Sequence, residues 1–282
     1  MSLPPGSKLA GQWGVKVVVT GATGNLGTSV LEALAHYSEV DSILGLARRT
    51  PQKPFAKTRF IAADVTKAPL AKLFQGADCV IHLAWQIQPS RKPEQLDEVN
   101  VNGSRRVFEA ALAARVPHVV FASSVGAYSS GPKQTYVDED WPTDGTPGSL
   151  YSQQSNCASK SCIPATWAPP LHAPWCAVPP AHSTLPHPPL DGDALAQVLQ
   201  RRAVSLPRSL PRAASAATYH LRLQPASPSW LDMAMNVPLM DVGRARRELD
   251  WEPTRDATAT IRELLEGIRA DARGATAPLQ AN

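Results

Sequence analysis

Three glycines at intervals of three, Gly21, Gly24 and Gly27, lie in the run Thr20-Gly21-Ala22-Thr23-Gly24-Asn25-Leu26-Gly27. Between a strand and a helix, that spacing suits the binding of a dinucleotide phosphate. Gly21 lets the chain turn, Gly24 lets the backbone approach a pyrophosphate, and Gly27 lets helix and strand pack closely. The free N–H groups at the helix start then meet the phosphate oxygens, and Thr23, Asn25 and Leu26 share that turn. Ser124 stands just past the apolar run 118–122, at the sheet edge where α/β proteins bind ligands. The run 43–47 ends in Leu46-Ala47-Arg48-Arg49 with no acid. An acid there would bond the ribose 2′-OH of NAD, whereas Arg48 suits a 2′-phosphate, so NADP is preferred slightly over NAD. Cys157, Cys162, His172 and Cys176 offer a rival chemistry, a zinc site, but their spacing is irregular.

The elements that must position these residues follow from periodicity. Segments 16–20, 43–47, 59–63, 79–84 and 118–122 are short apolar runs. Residues 25–36 have helical spacing through Leu26, Val30, Leu31 and Leu34, and 93–115 through Leu96, Val99, Val107 and Ala111. Apolar strands alternating with helices imply a parallel sheet covered on both faces. The pattern stops soon after Tyr151. Residues 156–190 hold nine Pro, three of the four Cys, three His and two Trp, with Lys160 their one charged side chain. Such proline density permits neither a helix interior nor a central strand. Beyond it, 191–202, 211–223, 241–249 and 257–272 are helix candidates, with Asp241 as an N-cap.

Bulk composition narrows the function classes. The chain has 282 residues, enough for a substantial core, and 28 basic against 24 acidic side chains give no nucleic-acid footprint. No run approaches the ~18 apolar residues of a membrane span. Residues 1–10 carry no signal-peptide h-region, and four cysteines are no disulfide framework, so the expected setting is the cytoplasm.

The ordered motifs resemble the extended short-chain dehydrogenase/reductase family, the NAD(P)-dependent epimerase/dehydratase group. Besides the glycine turn, Ala63-Asp64-Val65 is similar to the family's adenine-contacting segment, and His82-Leu83-Ala84 to its strand-end signature. Asn100 to Ser104 resembles its structural helix motif, Ser123 to Tyr128 its catalytic-serine segment, and 241–253 the close of its substrate domain. The resemblance implies a doubly wound parallel α/β fold (Rossmann) over 1–155, with an incomplete, mainly helical substrate region over 191–282. It implies NADP or NAD as cofactor, held by Gly21, Thr23, Gly24, Asn25, Leu26, Gly27, Arg48, Asp64, Val65, Leu83 and Ala84. The substrate is a sugar nucleotide or another small hydroxy or keto compound, with no nucleic-acid or membrane partner, and a homo-oligomer is compatible. Tyr151 would act as acid/base and Ser124 would hydrogen-bond the reacting oxygen. His82 reads as a core histidine and Tyr128 as packing.

One departure bears on activity. The family pairs its Tyr with a Lys four residues on, but position 155 is Ser. Without a cation, ionising a phenol at neutral pH costs about 4 kcal/mol. Lys160 is nine residues from Tyr151, on the opposite helix face. The codons of 154–162, read one base displaced, permit Lys-Gln-Leu-Arg-Glu-Gln-Val-Leu, a charged amphipathic helix. A reading-frame slip would thus explain both the missing Lys and the odd composition of 156–190. The resulting expectation is a catalytically impaired member of the family. The alternatives are a non-catalytic dinucleotide-binding protein, or a product that does not fold stably.

Overall fold

The computed structural model describes residues 14–87, 89–160, 162, 192–252 and 256–270. Most of the Pro/Cys/His-rich run, including the zinc candidates His172 and Cys176, lies outside the described residues. Asp191, the first residue of the 191–202 helix candidate, does so as well.

The first half alternates strand and helix. Its elements are β1 (Val15–Thr20), α1 (Asn25–Ala35), β2 (Val40–Ala47), β3 (Thr58–Ala62), α2 (Leu70–Leu73), β4 (Cys79–His82), α3 (Pro93–Asp97), α4 (Ser104–Ala113) and β5 (His118–Phe121). The five strands pair in parallel in the order β3-β2-β1-β4-β5. Chain order reverses beside β1, which opens a crevice at the strand ends between β1 and β4.

Side-chain alternation explains how one short strand serves two cores. Val17 and Val19 pack with Leu31 of α1 and Ile43 on one face. Val18 points the other way, into a cluster with Phe74, Val80, Val107 and Ala111. A third cluster, around Phe108 and Ala158, fixes the helix that follows on the outer side of β5. Leu26 departs from the expected apolar stripe of α1. It is exposed, while Leu31, Val30 and Leu34 make the contacts. The single helix expected over 93–115 is interrupted by a π-helical stretch at Glu98–Gly103, which turns Asn100 inward.

After β5 a 3₁₀ turn (Val125–Ala127) leads through β6 (Tyr136–Val137) to α5 (Leu150–Lys160). Here the sequence reading needs correction. Helical structure persists five residues beyond position 155, because the first proline of the rich run is Pro164. The second half contains α6 (Gly192–Val198), α7 (Ser209–His220), α8 (Pro228–Asn236), β7 (Leu239–Met240), α9 (Gly243–Leu249) and α10 (Ala257–Arg269). It is mainly helical, as expected. The sequence reading missed α8, which begins with Pro228 in the first turn, and the two-residue pairing of β6 with β7. Asp241 accepts from the Gly243 N–H at 2.7 Å, just ahead of α9, and Asp256 caps α10 through the Ala259 N–H at 2.9 Å.

Candidate functional site

The β1–α1 turn is built for close backbone approach. Gly21 has φ +71°, and a Cβ there would lie 2.6 Å from the Leu83 carbonyl carbon and 2.7 Å from the Ala84 nitrogen. A Cβ on Gly27 would meet the Gly21 oxygen at 2.3 Å. Those two glycines are demanded by the protein's own packing. Gly24 is different. Its backbone is ordinary, φ −75° and ψ 168°, and its added Cβ would have a single near neighbour, the Gly21 oxygen at 3.3 Å. Of the three, Gly24 is the least crowded, its Cβ pressing on one backbone oxygen without outright overlap.

Gly24 also begins α1 without a side-chain cap, and the first turn carries no acid. The positive end of the helix is left for an anion. Thr23 is half-buried there, and Asn25 and Leu26 are exposed. Residues present therefore fit a pyrophosphate: an uncapped N-terminus, a glycine at its start, and Leu83 and Ala84 packed under Gly21 at the β1–β4 crevice.

Asp64 follows β3 on the same edge of the sheet. Its Oδ1 accepts from the Thr66 N–H and hydroxyl, each at 2.9 Å. Burial works against its charge, yet these bonds and the charges of Arg48 and Lys67 hold its carboxyl below the usual range. Arg48 itself is exposed. Val65 turns its side chain into the core and its carbonyl to Arg106 Nε at 3.1 Å.

Ser124 and Tyr151 flank Gly126. A Cβ on that glycine would lie 3.1 Å from Tyr151 Cε1 and 3.3 Å from Ser124 Oγ. Ser124 Oγ accepts from the Gly126 N–H at 3.0 Å. The Tyr151 ring lies 5.2 Å from Trp230 of α8 and edge-on to Trp85 at 6.3 Å. Tyr151 and Trp230 line a small cleft with Gln86, Ser90, Gln154 and Ser227. Position 155 is sealed: Ser155 is 2% exposed, and its hydroxyl donates to the Tyr151 carbonyl at 2.9 Å. Lys160 is turned to Asp144 at 3.2 Å, in line with its expected place on the other face.

Several residues position the site, and only Asn100 among them was named in the sequence. Asn100, inward at the π-helical stretch, accepts from the Gln86 N–H at 2.8 Å and donates to the Gln86 carbonyl and to Gln154 Oε1. Gln154 Nε2 donates in turn to Asp97 Oδ1 at 2.6 Å. This chain of amides ties α5 to the loop after β4. Arg91 sits 4.3 Å over the Tyr219 ring and donates to the Gln224 carbonyl at 3.1 Å, holding the second half against that loop. Asn100 was visible as a motif; Gln154, Trp230 and Arg91 carried no signal, since each acts through distant partners.

His82 and Tyr128 stand apart from the chemistry. Ser104 spends its hydroxyl hydrogen on the Asn100 carbonyl at 2.6 Å, so His82 Nε2 must donate to Ser104 Oγ at 2.9 Å. Its bare Nδ1 then accepts from the Thr20 hydroxyl at 2.7 Å. The neutral ring is fully satisfied, and burial pushes its pKa down to about 3. The Tyr128 phenol is pushed up, by burial first and then by Glu139.

A parallel sheet with this strand order and an uncapped glycine turn at its crevice defines a dinucleotide-binding protein of the Rossmann type. The chain belongs to the NAD dependent epimerase/dehydratase family, whose model matches residues 17–171. It is similar to an L-arabinose 1-dehydrogenase (NAD(P)(+)) of Haloferax volcanii, 36% identical over 109 residues, which is 39% of this chain and 41% of that one. A uronate dehydrogenase of Pseudomonas putida is 33% identical over 112 residues, 39% of this chain and 40% of that one. A solved glucuronic acid dehydrogenase from Chromohalobacter salexigens, 25% identical, covers 51% of this chain and 53% of that one with a TM-score of 0.46. The chain thus spans less than half the length of the curated relatives it matches here. Among the described residues no helix is long and apolar enough to cross a membrane, and no three potential ligands cluster for a metal.

Proposed function

We propose that the chain binds NADP or NAD at the β1–α1 turn and presents it to a sugar-type hydroxyl or ketone beside Tyr151, with turnover impaired. The observation that carries this reading is Gly24, where the least crowded glycine of the turn coincides with an uncapped helix start. Gly21, Thr23, Asn25, Leu26 and Gly27 would surround the pyrophosphate, Asp64 and Val65 the adenine, Leu83 and Ala84 the crevice wall, and Arg48 a 2′-phosphate. When bound, the nicotinamide supplies hydride transfer at the carbon bearing the reacting oxygen. Ser124 would donate a hydrogen bond to that oxygen, and the Tyr151 phenol would exchange its proton. The cleft offers amides and hydroxyls from Gln86, Ser90, Gln154 and Ser227 beside aromatic rings, which suits a polyhydroxylated substrate.

The absent cation is what makes turnover slow. With Ser155 in place of a Lys, nothing charged at that position helps the phenol lose its proton. A chain that binds dinucleotide without turning over is the second reading, favoured by the same residue. Two measurements test the proposal. NADP or NAD should raise the melting temperature of the native chain, and Gly24→Val should remove that shift while costing about 1 kcal/mol as a poorer N-cap, besides what the approach to the Gly21 oxygen adds. An unchanged shift in the Gly24→Val protein would overturn the site. Coenzyme reduction over a panel of aldoses, uronates and sugar nucleotides should be slow, lost in Tyr151→Phe, and not restored by Ser155→Lys, whose side chain enters a sealed position. A gene with the displaced frame restored from codon 154 should regain turnover. Fast turnover by the unmodified chain would sink the impaired reading.

A further inference from the structure

Two thiols meet where α5 ends. The Cys162 N–H donates to the Cys157 carbonyl at 3.3 Å, the six-to-one bond of a Schellman closure. That closure folds the chain back so that side chains five residues apart face one another, usually as an apolar contact. Here both partners are cysteines, and Cys157 packs against the cluster that holds Cys162. Cys162 is 2% exposed, with its Sγ donating to the Val101 carbonyl at 3.4 Å and Phe108 and Ala158 in its cluster. Cys157 is only half-buried. Of the pair, Cys157 is therefore the residue that solvent reaches and Cys162 the enclosed one.

We propose that Cys157 and Cys162 form a reversible dithiol–disulfide pair, oxidised by a peroxide, that staples the last turn of the helix carrying Tyr151. In the first step the Cys157 thiolate attacks one peroxide oxygen and the O–O bond breaks. The other oxygen leaves as water with the thiol's proton, and Cys157 becomes a sulfenic acid. The Cys162 sulfur then attacks the sulfenic sulfur, the S–O bond breaks, and its hydroxyl leaves as a second water with the Cys162 proton. Two thiols are oxidised and one peroxide is reduced, with no further reactant. Burial pushes the Cys162 thiol up to about 11, with the neighbouring Cys157 adding to it and Arg105 opposing it. Held protonated and enclosed, Cys162 is the slower of the two to meet a peroxide, so the first step falls to the more exposed Cys157. A dithiol reductant reverses the bridge.

Trypsin gives a direct reading, because Lys160 lies between the two cysteines. The full chain is treated with hydrogen peroxide, its free thiols are alkylated, and it is digested without reductant. The expected product is the peptide ending at Lys160 joined through Cys157 to the peptide carrying Cys162, separating on addition of dithiothreitol. The link should persist in Cys176→Ser and disappear in Cys162→Ser. Cys157 found joined to Cys176 or Cys79, or carried to the sulfinic acid with no link, would overturn the proposal. Loss of the link in Cys176→Ser would overturn it as well.

Discussion

Phe108, on α4, is sealed from solvent, whereas Ile268, on α10, leaves 67% of its surface in water. The two residues sit on equally regular helices. α10 has a strongly one-sided apolar pattern, yet Leu264 and Ile268 on that pattern stay exposed, and none of α6 to α10 contains a buried residue. In the first half α1 and α4 each pack against a face of the sheet. In the second, the helices find mostly one another: α7 packs with α8 and α6 with α10. Amphipathic spacing is enough to shape a helix, but burial needs a surface to receive it. The sheet ends at β5, whose side chains are half-buried or exposed, and a sixth strand of a doubly wound sheet is not among the described residues.

The sharpest way to break this contrast is to delete a side chain from each half. Phe108 makes edge-on contacts with His82 at 5.9 Å and Phe121 at 5.5 Å. Phe108→Ala should cost about 3–5 kcal/mol, because little around it can collapse into the space. Ile268→Ala should change stability by no more than about 0.5 kcal/mol, as an exposed substitution does. Denaturant unfolding of both variants checks this. Comparable losses would mean that the second half has a core after all.

A smaller effect reads the same contrast through pH. His82 is the one buried imidazole among the described residues; His36, His118 and His220 are exposed. The unfolded chain takes a proton on this residue as pH falls below about 6.5, while the folded ring resists until about 3. The unfolded state therefore binds more protons across that window, and stability falls with pH by about 1.4 kcal/mol per unit. Above the window the residue contributes no pH dependence. His82→Gln should start less stable but lose this part of the slope, measured by denaturation at a series of pH values. An identical slope in the variant would show that His82 is already protonated in the fold, against its bonding to Thr20 and Ser104.

How much could be read in advance follows the same divide. The five strands of the sheet were legible because each is a short apolar run, and the glycine turn because three glycines in a strand–helix context have few other uses. Val17, Val18 and Val19 could not be assigned to faces until the sheet existed, since both faces are apolar. At the site, Ser124 and Tyr151 were named in sequence, and the fold brings them to either side of Gly126. Trp230, its ring tilted against Tyr151 from 79 residues away, was not, because nothing local marks a contact made across the molecule. Leu26 was misread for a related reason. Helical periodicity gave it to the core, but the first turn of α1 faces the open crevice instead.

The smallest expected effect lies at the exposed rim of the packed half, where Arg48 and Arg49 follow β2. If either meets a 2′-phosphate, NADP should bind more tightly than NAD. The margin should be modest. Both guanidinium groups are exposed, and Arg48 already has an anionic neighbour in Asp64, whose charge offsets part of what Arg48 offers a phosphate. Exposed ion pairs contribute about 1 kcal/mol or less, which corresponds to a preference of about five-fold at low salt. Raising the ionic strength to about 0.5 M should shrink it further, because these charges are screened by the solvent around them. Arg48→Ala with Arg49→Ala should bring the two affinities together while leaving NAD binding nearly unchanged. Isothermal titration of both nucleotides at two salt concentrations distinguishes the cases. Equal affinities for the native chain at low salt would mean that the absence of an acid after β2 does not select the phosphate, and that Arg48 serves Asp64 alone.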